Sequence, residues 1–212
     1  MVPDCPLCQG KGILFFKDKQ HTFYECLDCS GIYRNPVQFL KPEKEKERYL
    51  HHISDINDMG YYRFVSPILE EVHKYFPKGN KGLDYGCGHT PVLSELLKKE
   101  QYEMEIFDPV FFKDTAPLDK KYDFIVCCEV MEHFYDPHKE FKQMLELLVP
   151  DGKLICKTHL YDNKIEFDRW YYKNDPSHVF IYQAETINWI SSHYHFKDVK
   201  IDQRLITFSK YS

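Results

Sequence analysis

The sequence predicts an α/β fold: a doubly wound, mostly parallel sheet with a small metal-stapled module ahead of it. Three observations carry this expectation. Two knuckles, Cys5-x-x-Cys8 and Cys26-x-x-Cys29, stand seventeen residues apart near the N-terminus. A strand-like run ends in a glycine-punctuated turn and a helix start, "KGLDYGCGHTPVLSELL". Beyond it, strand and helix patterns alternate, as parallel sheets require.

With 212 residues there is room for one full domain plus a small appendage. The 16 Phe and 16 Tyr suit a core with aromatic-lined pockets. A net charge of −5 excludes a large basic field for nucleic acid. The N-terminus lacks the charged-then-apolar layout of a signal peptide, and no apolar run approaches a membrane span. The expectation is a soluble cytoplasmic protein with no membrane partner; oligomeric state leaves no trace in the sequence. Eight cysteines in such a protein point to metal rather than disulfides.

Residues 1–38 are expected to form a zinc ribbon. "ILFF" and "TFYEC" read as two hairpin strands, and Cys5, Cys8, Cys26 and Cys29 supply four thiolates for a closed, structural zinc site. Eight Lys/Arg against seven Asp/Glu in Met1–Leu50 give it no nucleic-acid signature. Residues 39–79 are linker helices. "KPEKEKER" alternates charge and reads as a solvated helix face. Phe64, Ile68, Val72 and Phe76 form an apolar stripe that Pro77 and Gly79 end. His51, His52 and Tyr61 are either surface groups or part of a lid.

Residues 80–212 are the core. Gly86 and Gly88 allow unusual dihedrals and close approach of a ligand, and a helix opening near Thr90 and Pro91 offers free N–H groups. Asp84 precedes them. About twenty residues on, "YEMEIFDP" ends at Asp108, which either takes both hydroxyls of a ribose or is a turn residue before Pro109. "YDFIVCCEV" is apolar throughout, as a central parallel strand should be. "DPHKEFKQMLELLV" then reads as a helix, "PDGK" as a turn and "LICKTH" as a strand; "AETINWISSHYHF" is a helix and "FKDVKIDQRLITFSK" an antiparallel hairpin. Ligands in such sheets bind at the carboxyl ends of the strands, where Gly86, Gly88, Asp108 and Glu129 fall.

"LDYGCG", the acid ending the next strand, "YDFIVCCEVMEHF" and "LVPDGKLICKT" resemble, in order, the motifs of class I S-adenosylmethionine-dependent methyltransferases, from about Gly60 to the C-terminus. The resemblance implies a Rossmann-like sheet with S-adenosylmethionine as cofactor. It implies that Asp84, Gly86, Cys87 and Gly88 contact the methionine part, that Asp108 with Pro109 holds the nucleoside, and that Glu129 lies beside the methyl group and acceptor. The stretch Asp108 to Tyr122 is too short for the family's helix and third strand, so the sheet edge is expected to be trimmed. That leaves Asp119 as a weak candidate for reading adenine.

Glu129, Glu132 and His133 stand at i, i+3 and i+4, which would put them on one face of a helical turn. They either fix the strand-to-helix turn, with Glu129 facing the cofactor, or hold a second divalent metal with His178. The same E-x-x-E-H pattern resembles two metal-using methyltransferase groups. Glu129, His133 and His178 are the candidate catalytic residues, although His178 is equally a structural histidine. The aromatic stretch with Trp170, Tyr171, Tyr172, Phe180 and Tyr182 is expected to form a substrate lid. The leading function is methyl transfer to a small-molecule acceptor. The alternatives are an RNA-modifying methyltransferase docking through the ribbon, and a non-catalytic cofactor-binding module.

Overall fold

The structure is a computed structural model that describes residues 2–51 and 55–212. His52 lies outside the described residues. In chain order the elements are β1 (Gly12–Lys17), β2 (Thr22–Cys26), β3 (Ile32–Arg34), α1 (Pro42–Tyr49), α2 (Met59–Tyr75), β4 (Lys81–Tyr85), α3 (Val92–Lys99) and β5 (Glu103–Phe107). They continue with β6 (Tyr122–Cys128), α4 (Pro137–Leu147), β7 (Leu148–Lys157), β8 (Phe180–Ile181), α5 (Ala184–His193), β9 (Asp198–Asp202) and β10 (Leu205–Ser209).

The larger sheet has six strands in the order β5-β4-β6-β7-β10-β9. The first four run parallel, and the C-terminal hairpin joins antiparallel through β10 on β7. Strand β6 is central and alternates sides. Phe124 and Val126 pack with Val65, Ile68, Leu69 and Val72 of α2, and with Leu93 and Leu97 of α3. Ile125 and Cys127 pack with Phe141 and Met144 of α4, and with Ile187 and Ile190 of α5. Two-residue periodicity in the strand thus feeds opposite halves of the core, and the stripe on α2 fills one of them. Asp58 caps α2 by accepting from the Gly60 N–H at 2.7 Å. The sheet ends at β5: residues 108–121 hold only a bridge between Asp108 and Phe112 and a short 3₁₀ turn, Ala116–Asp119, as the trimmed edge required.

Two local expectations differ. "PDGK" does not stand between helix and strand; it is an irregularity inside β7, with Asp151 at φ 58° and a register shift against β6. A Cβ at Gly152 would lie 2.9 Å from the Val149 carbonyl, so only glycine fits there. In α1, Glu45 is buried rather than solvated, and accepts hydrogen bonds from Tyr49 at 2.7 Å and Tyr135 at 3.0 Å.

The N-terminal module is more than a hairpin. It forms a four-stranded antiparallel sheet, β1-β2-β3-β8, whose last strand comes from near the C-terminus. One face, with Tyr24, Tyr33 and Phe180, joins the α4/α5 half of the core. The other, with Phe23, Ile32 and Ile181, packs on Phe167, Trp170 and Tyr172. The aromatic segment is therefore buried packing: Trp170 and Tyr172 cover one face of the small sheet, Phe180 and Tyr182 belong to the main core, and Tyr171 is exposed. This corrects the expectation of a lid.

Candidate functional site

A cleft of about 1000 Å³ opens at the carboxyl ends of β4, β5 and β6. That is the upper end of the range for ligand pockets. The turn after β4 forms its floor. Gly86 donates to the Phe107 carbonyl at 2.8 Å, which ties the turn to the end of β5. Gly86 and Gly88 have φ of 81° and 67°, values that disfavour any Cβ. A Cβ at Gly86 would fall 2.4 Å from Val130, whereas at Gly88 it would meet nothing within 4 Å. The space over Gly88 is thus open to a ligand. His89 also lines the cleft, and its buried Nε2 has no hydrogen-bond partner among the described residues. An open glycine cradle beside an orphaned polar atom fits a bound nucleoside cofactor.

Asp108 is 7% exposed and lines the cleft. Its carboxylate accepts from the backbone N–H groups of Gly88 (2.9 Å), Val110 (2.8 Å) and Phe111 (2.9 Å). It therefore shapes the turn and faces the cavity at once. Pro109 and Cys87 also line it, with burial pushing the Cys87 thiol up. Asp84 does not line the cleft. It is buried beneath, accepts from the Ser94 hydroxyl at 3.1 Å, and burial raises its carboxyl to about 7. Asp119 is likewise not among the lining residues, whereas Thr115 and Leu118 from the same segment are.

Past β6 the chain does not make the helical turn that the spacing suggested. Glu129 has φ 52° and its N–H donates to the Lys157 carbonyl at 2.7 Å; only Met131–His133 form a 3₁₀ turn. Glu129 thus leaves the face of Glu132 and His133. It lines the cleft and is held by Arg204 Nη2, at 2.8 Å from each carboxylate oxygen. Burial and the neighbouring Glu132 raise its carboxyl to about 7, with Arg204 opposing.

Glu132, His133 and His178 come together instead, with one ligand atom of each within 4.8 Å of the others. Glu132 is fully buried and accepts from Tyr172 at 2.6 Å and Thr158 at 3.0 Å. Burial raises its carboxyl against those bonds. His133 Nδ1 lies 2.9 Å from the Ser177 carbonyl, and His178 Nδ1 lies 2.8 Å from the Tyr172 carbonyl. A carbonyl only accepts, so both Nδ1 atoms carry the proton and both Nε2 atoms keep a lone pair. Burial lowers both imidazoles, His178 to about 3, with His133 adding to the effect.

At the N-terminus the four sulfurs of Cys5, Cys8, Cys26 and Cys29 lie within 4.8 Å of one another, with Cys5–Cys29 at 3.6 Å and Cys8–Cys26 at 3.3 Å. Sulfurs around a tetrahedral zinc at about 2.3 Å would stand about 3.8 Å apart. The two knuckles repeat one backbone pattern. Cys5 N–H donates to Gly10 O and Cys26 N–H to Gly31 O, each at 2.9 Å, and Gln9 and Ser30 both take positive φ. The donor set and geometry fit a tetracoordinate metal.

Sequence reasoning did not find Arg204, Glu45 or the Thr158–Tyr172 pair. A lone Arg in a hairpin turn, a Glu inside a charge run and hydroxyls inside apolar strings carry no distinctive spacing.

A protein-family model described as "Methyltransferase domain" (Methyltransf_23) matches residues 49–201, more than half of the chain, and the chain belongs to that family. No curated protein gives a significant sequence match. Solved structures with the same fold include a 1,6-didemethyltoxoflavin-N1-methyltransferase from Burkholderia thailandensis with bound 1,6-didemethyltoxoflavin and S-adenosylhomocysteine. It is 13% identical with a TM-score of 0.57, over 94% of this chain and 99% of that one. An O-methyltransferase family protein from the same organism is 12% identical with a TM-score of 0.54, over 79% and 63%. A phosphoethanolamine N-methyltransferase from Haemonchus contortus in complex with S-adenosyl-L-methionine is 13% identical with a TM-score of 0.55, over 88% and 56%. This chain thus spans less than two thirds of the latter two. Among the described residues no helix is long and apolar enough to cross a membrane.

Proposed function

We propose that this protein transfers a methyl group from S-adenosylmethionine to a small-molecule acceptor bound in the cleft above β4, β5 and β6. The observation that carries the reading is the open cradle over Gly88, with Asp108 and Glu129 lining the same cavity. The sulfonium supplies an activated methyl, so the protein's task is chiefly orientation. Gly86, Cys87 and Gly88 let the backbone approach the methionine part. Asp108 accepts the ribose hydroxyls beside Pro109, and Asp84 supports the turn from beneath. Glu129, fixed by Arg204, faces the methyl and the acceptor. The aromatic walls, among them Tyr49, Tyr61 and Phe111, suit a planar or apolar acceptor.

His178, lowered to about 3, is too weak a base to take a proton at neutral pH. Its lone pair and that of His133 serve better as hydrogen-bond acceptors or metal ligands. A second reading therefore adds a divalent metal on Glu132, His133 and His178, where it would lower the pKa of an acceptor hydroxyl. The proton placement on both Nδ1 atoms favours it. Glu129, committed to Arg204, is left out of that set. In the same reading the four N-terminal cysteines hold a structural zinc.

Calorimetry of the zinc-loaded protein with S-adenosylhomocysteine tests the first reading: binding is expected, and a folded protein that gives no heat overturns it. Tritiated methyl from the cofactor is expected in the small-molecule fraction of an extract, and label confined to RNA would favour the RNA alternative. For the metal, Glu132→Ala and His133→Ala should each lower the manganese taken up beyond the ribbon's zinc; uptake equal to wild type rejects the second site.

A further inference from the structure

A buried arginine of the N-terminal module reaches the loop that carries His178, one of the residues lining the cleft. Arg34, the last residue of β3, is 2% exposed and, among the described residues, bonds to no carboxylate. Its fork is spent on carbonyls: Nε donates to His178 O at 3.1 Å, and Nη2 to Lys173 O at 2.8 Å and Asp175 O at 2.9 Å. Its backbone N–H donates to Val179 O at 2.9 Å, and its guanidinium lies 4.6 Å from the centre of the Phe23 ring. Three carbonyls of one loop, residues 173–178, thus converge on a single planar cation, a geometry lysine does not reproduce.

That loop and the residue before it orient both histidines. Tyr172 O receives His178 Nδ1–H and Ser177 O receives His133 Nδ1–H. Val179 N–H donates to Glu132 O at 2.9 Å, which joins the loop to the turn carrying Glu132 and His133. From the far side Arg48 of α1 bonds both oxygens of Asp175, whose carboxylate also accepts from the Ser177 N–H and hydroxyl.

We propose that Arg34 is a positioning residue: from within the cysteine-stapled module it fixes the carbonyl loop that sets the tautomer and direction of His133 and His178. The module's role is then to hold the acceptor end of the cleft in register, rather than to dock a nucleic acid. The functional meaning rests on the cleft reading above, but the structural claim does not, because its readout needs no acceptor.

The test uses full-length, zinc-loaded protein with ¹⁵N-labelled histidine. In wild type, His133 and His178 are expected as single Nδ1–H tautomers at neutral pH. In Arg34→Lys, which keeps the charge but loses the fork, both should show a second population with Nε2–H. S-adenosylhomocysteine affinity should stay within about threefold, because Arg34 does not line the cleft. Arg48→Gln, which leaves the fork intact, should keep the wild-type tautomers. Wild-type tautomers in folded Arg34→Lys overturn the proposal. Loss of cofactor binding in wild type would instead overturn the cleft reading alone. Should Arg34→Lys fail to fold, hydrogen exchange on wild type decides. The amides of Arg34 and Val179 are expected to open together when a chelator strips the zinc, and independent opening overturns the coupling.

Discussion

Replacing Asp84 with asparagine should change the pH dependence of stability more than stability itself. Asp84 is 4% exposed, lies beneath the glycine turn and, among the described residues, has no cationic hydrogen-bond partner, only the Ser94 hydroxyl and backbone. Burial raises its carboxyl from 3.8 to about 7. Between those values the native state keeps a proton that the unfolded chain has released. Stability from this group is therefore complete below pH 4 and declines as pH rises through about 7. At 1.36 kcal/mol per pH unit the full effect is on the order of 4 kcal/mol. Asparagine has the same shape and no proton to lose. Urea unfolding of both proteins at fixed zinc loading, from pH 5 to 8.5, measures the difference. The variant should gain on wild type by about 2–4 kcal/mol across that window. Parallel stability curves would refute the placement of Asp84 as a buried, unpaired acid.

Three further outcomes follow from the geometry. Gly86→Ala should cost about 2–4 kcal/mol in denaturant unfolding, since it adds a collision with Val130 to a left-handed φ, while Gly88→Ala should cost about 1–2. Tyr172→Phe removes the 2.6 Å donor to a fully buried Glu132 and should destabilise by about 1–3 kcal/mol, measured the same way. Cys8→Ser with Cys26→Ser should abolish stoichiometric zinc by elemental analysis and lower the melting temperature of the whole chain, because the module's faces belong to both packing clusters around it.

Much of this architecture was legible because it is written in period. The apolar run of β6, the stripe of α2 and the glycines at 86 and 88 are local signals, and the short span from Asp108 to Tyr122 announced the trimmed edge. What stayed hidden depends on contacts between distant segments. The i, i+3, i+4 spacing of Glu129, Glu132 and His133 read as a helix, but a left-handed residue at Glu129 broke the repeat and sent that carboxylate to Arg204. The aromatic stretch looked like a lid because aromatics line pockets. Here Trp170 and Tyr172 cover a face of the small sheet, which composition cannot distinguish. Glu45 was masked by its charged neighbours, since a helix face is polar or buried only with respect to what it meets.

The pairing of β3 with β8 joins Ile32 to Ile181 and Tyr33 to Phe180. On the ribosome the cysteine knuckles are made well before the strand that completes their sheet, which follows the four parallel strands of the larger sheet and precedes its β9–β10 hairpin. The amino-terminal piece is therefore not a cassette that can be trimmed away or grafted elsewhere. Cutting the chain after residue 38 would leave Phe180 and Ile181 with an open hydrogen-bonding edge and two bared apolar faces, a surface inviting self-association.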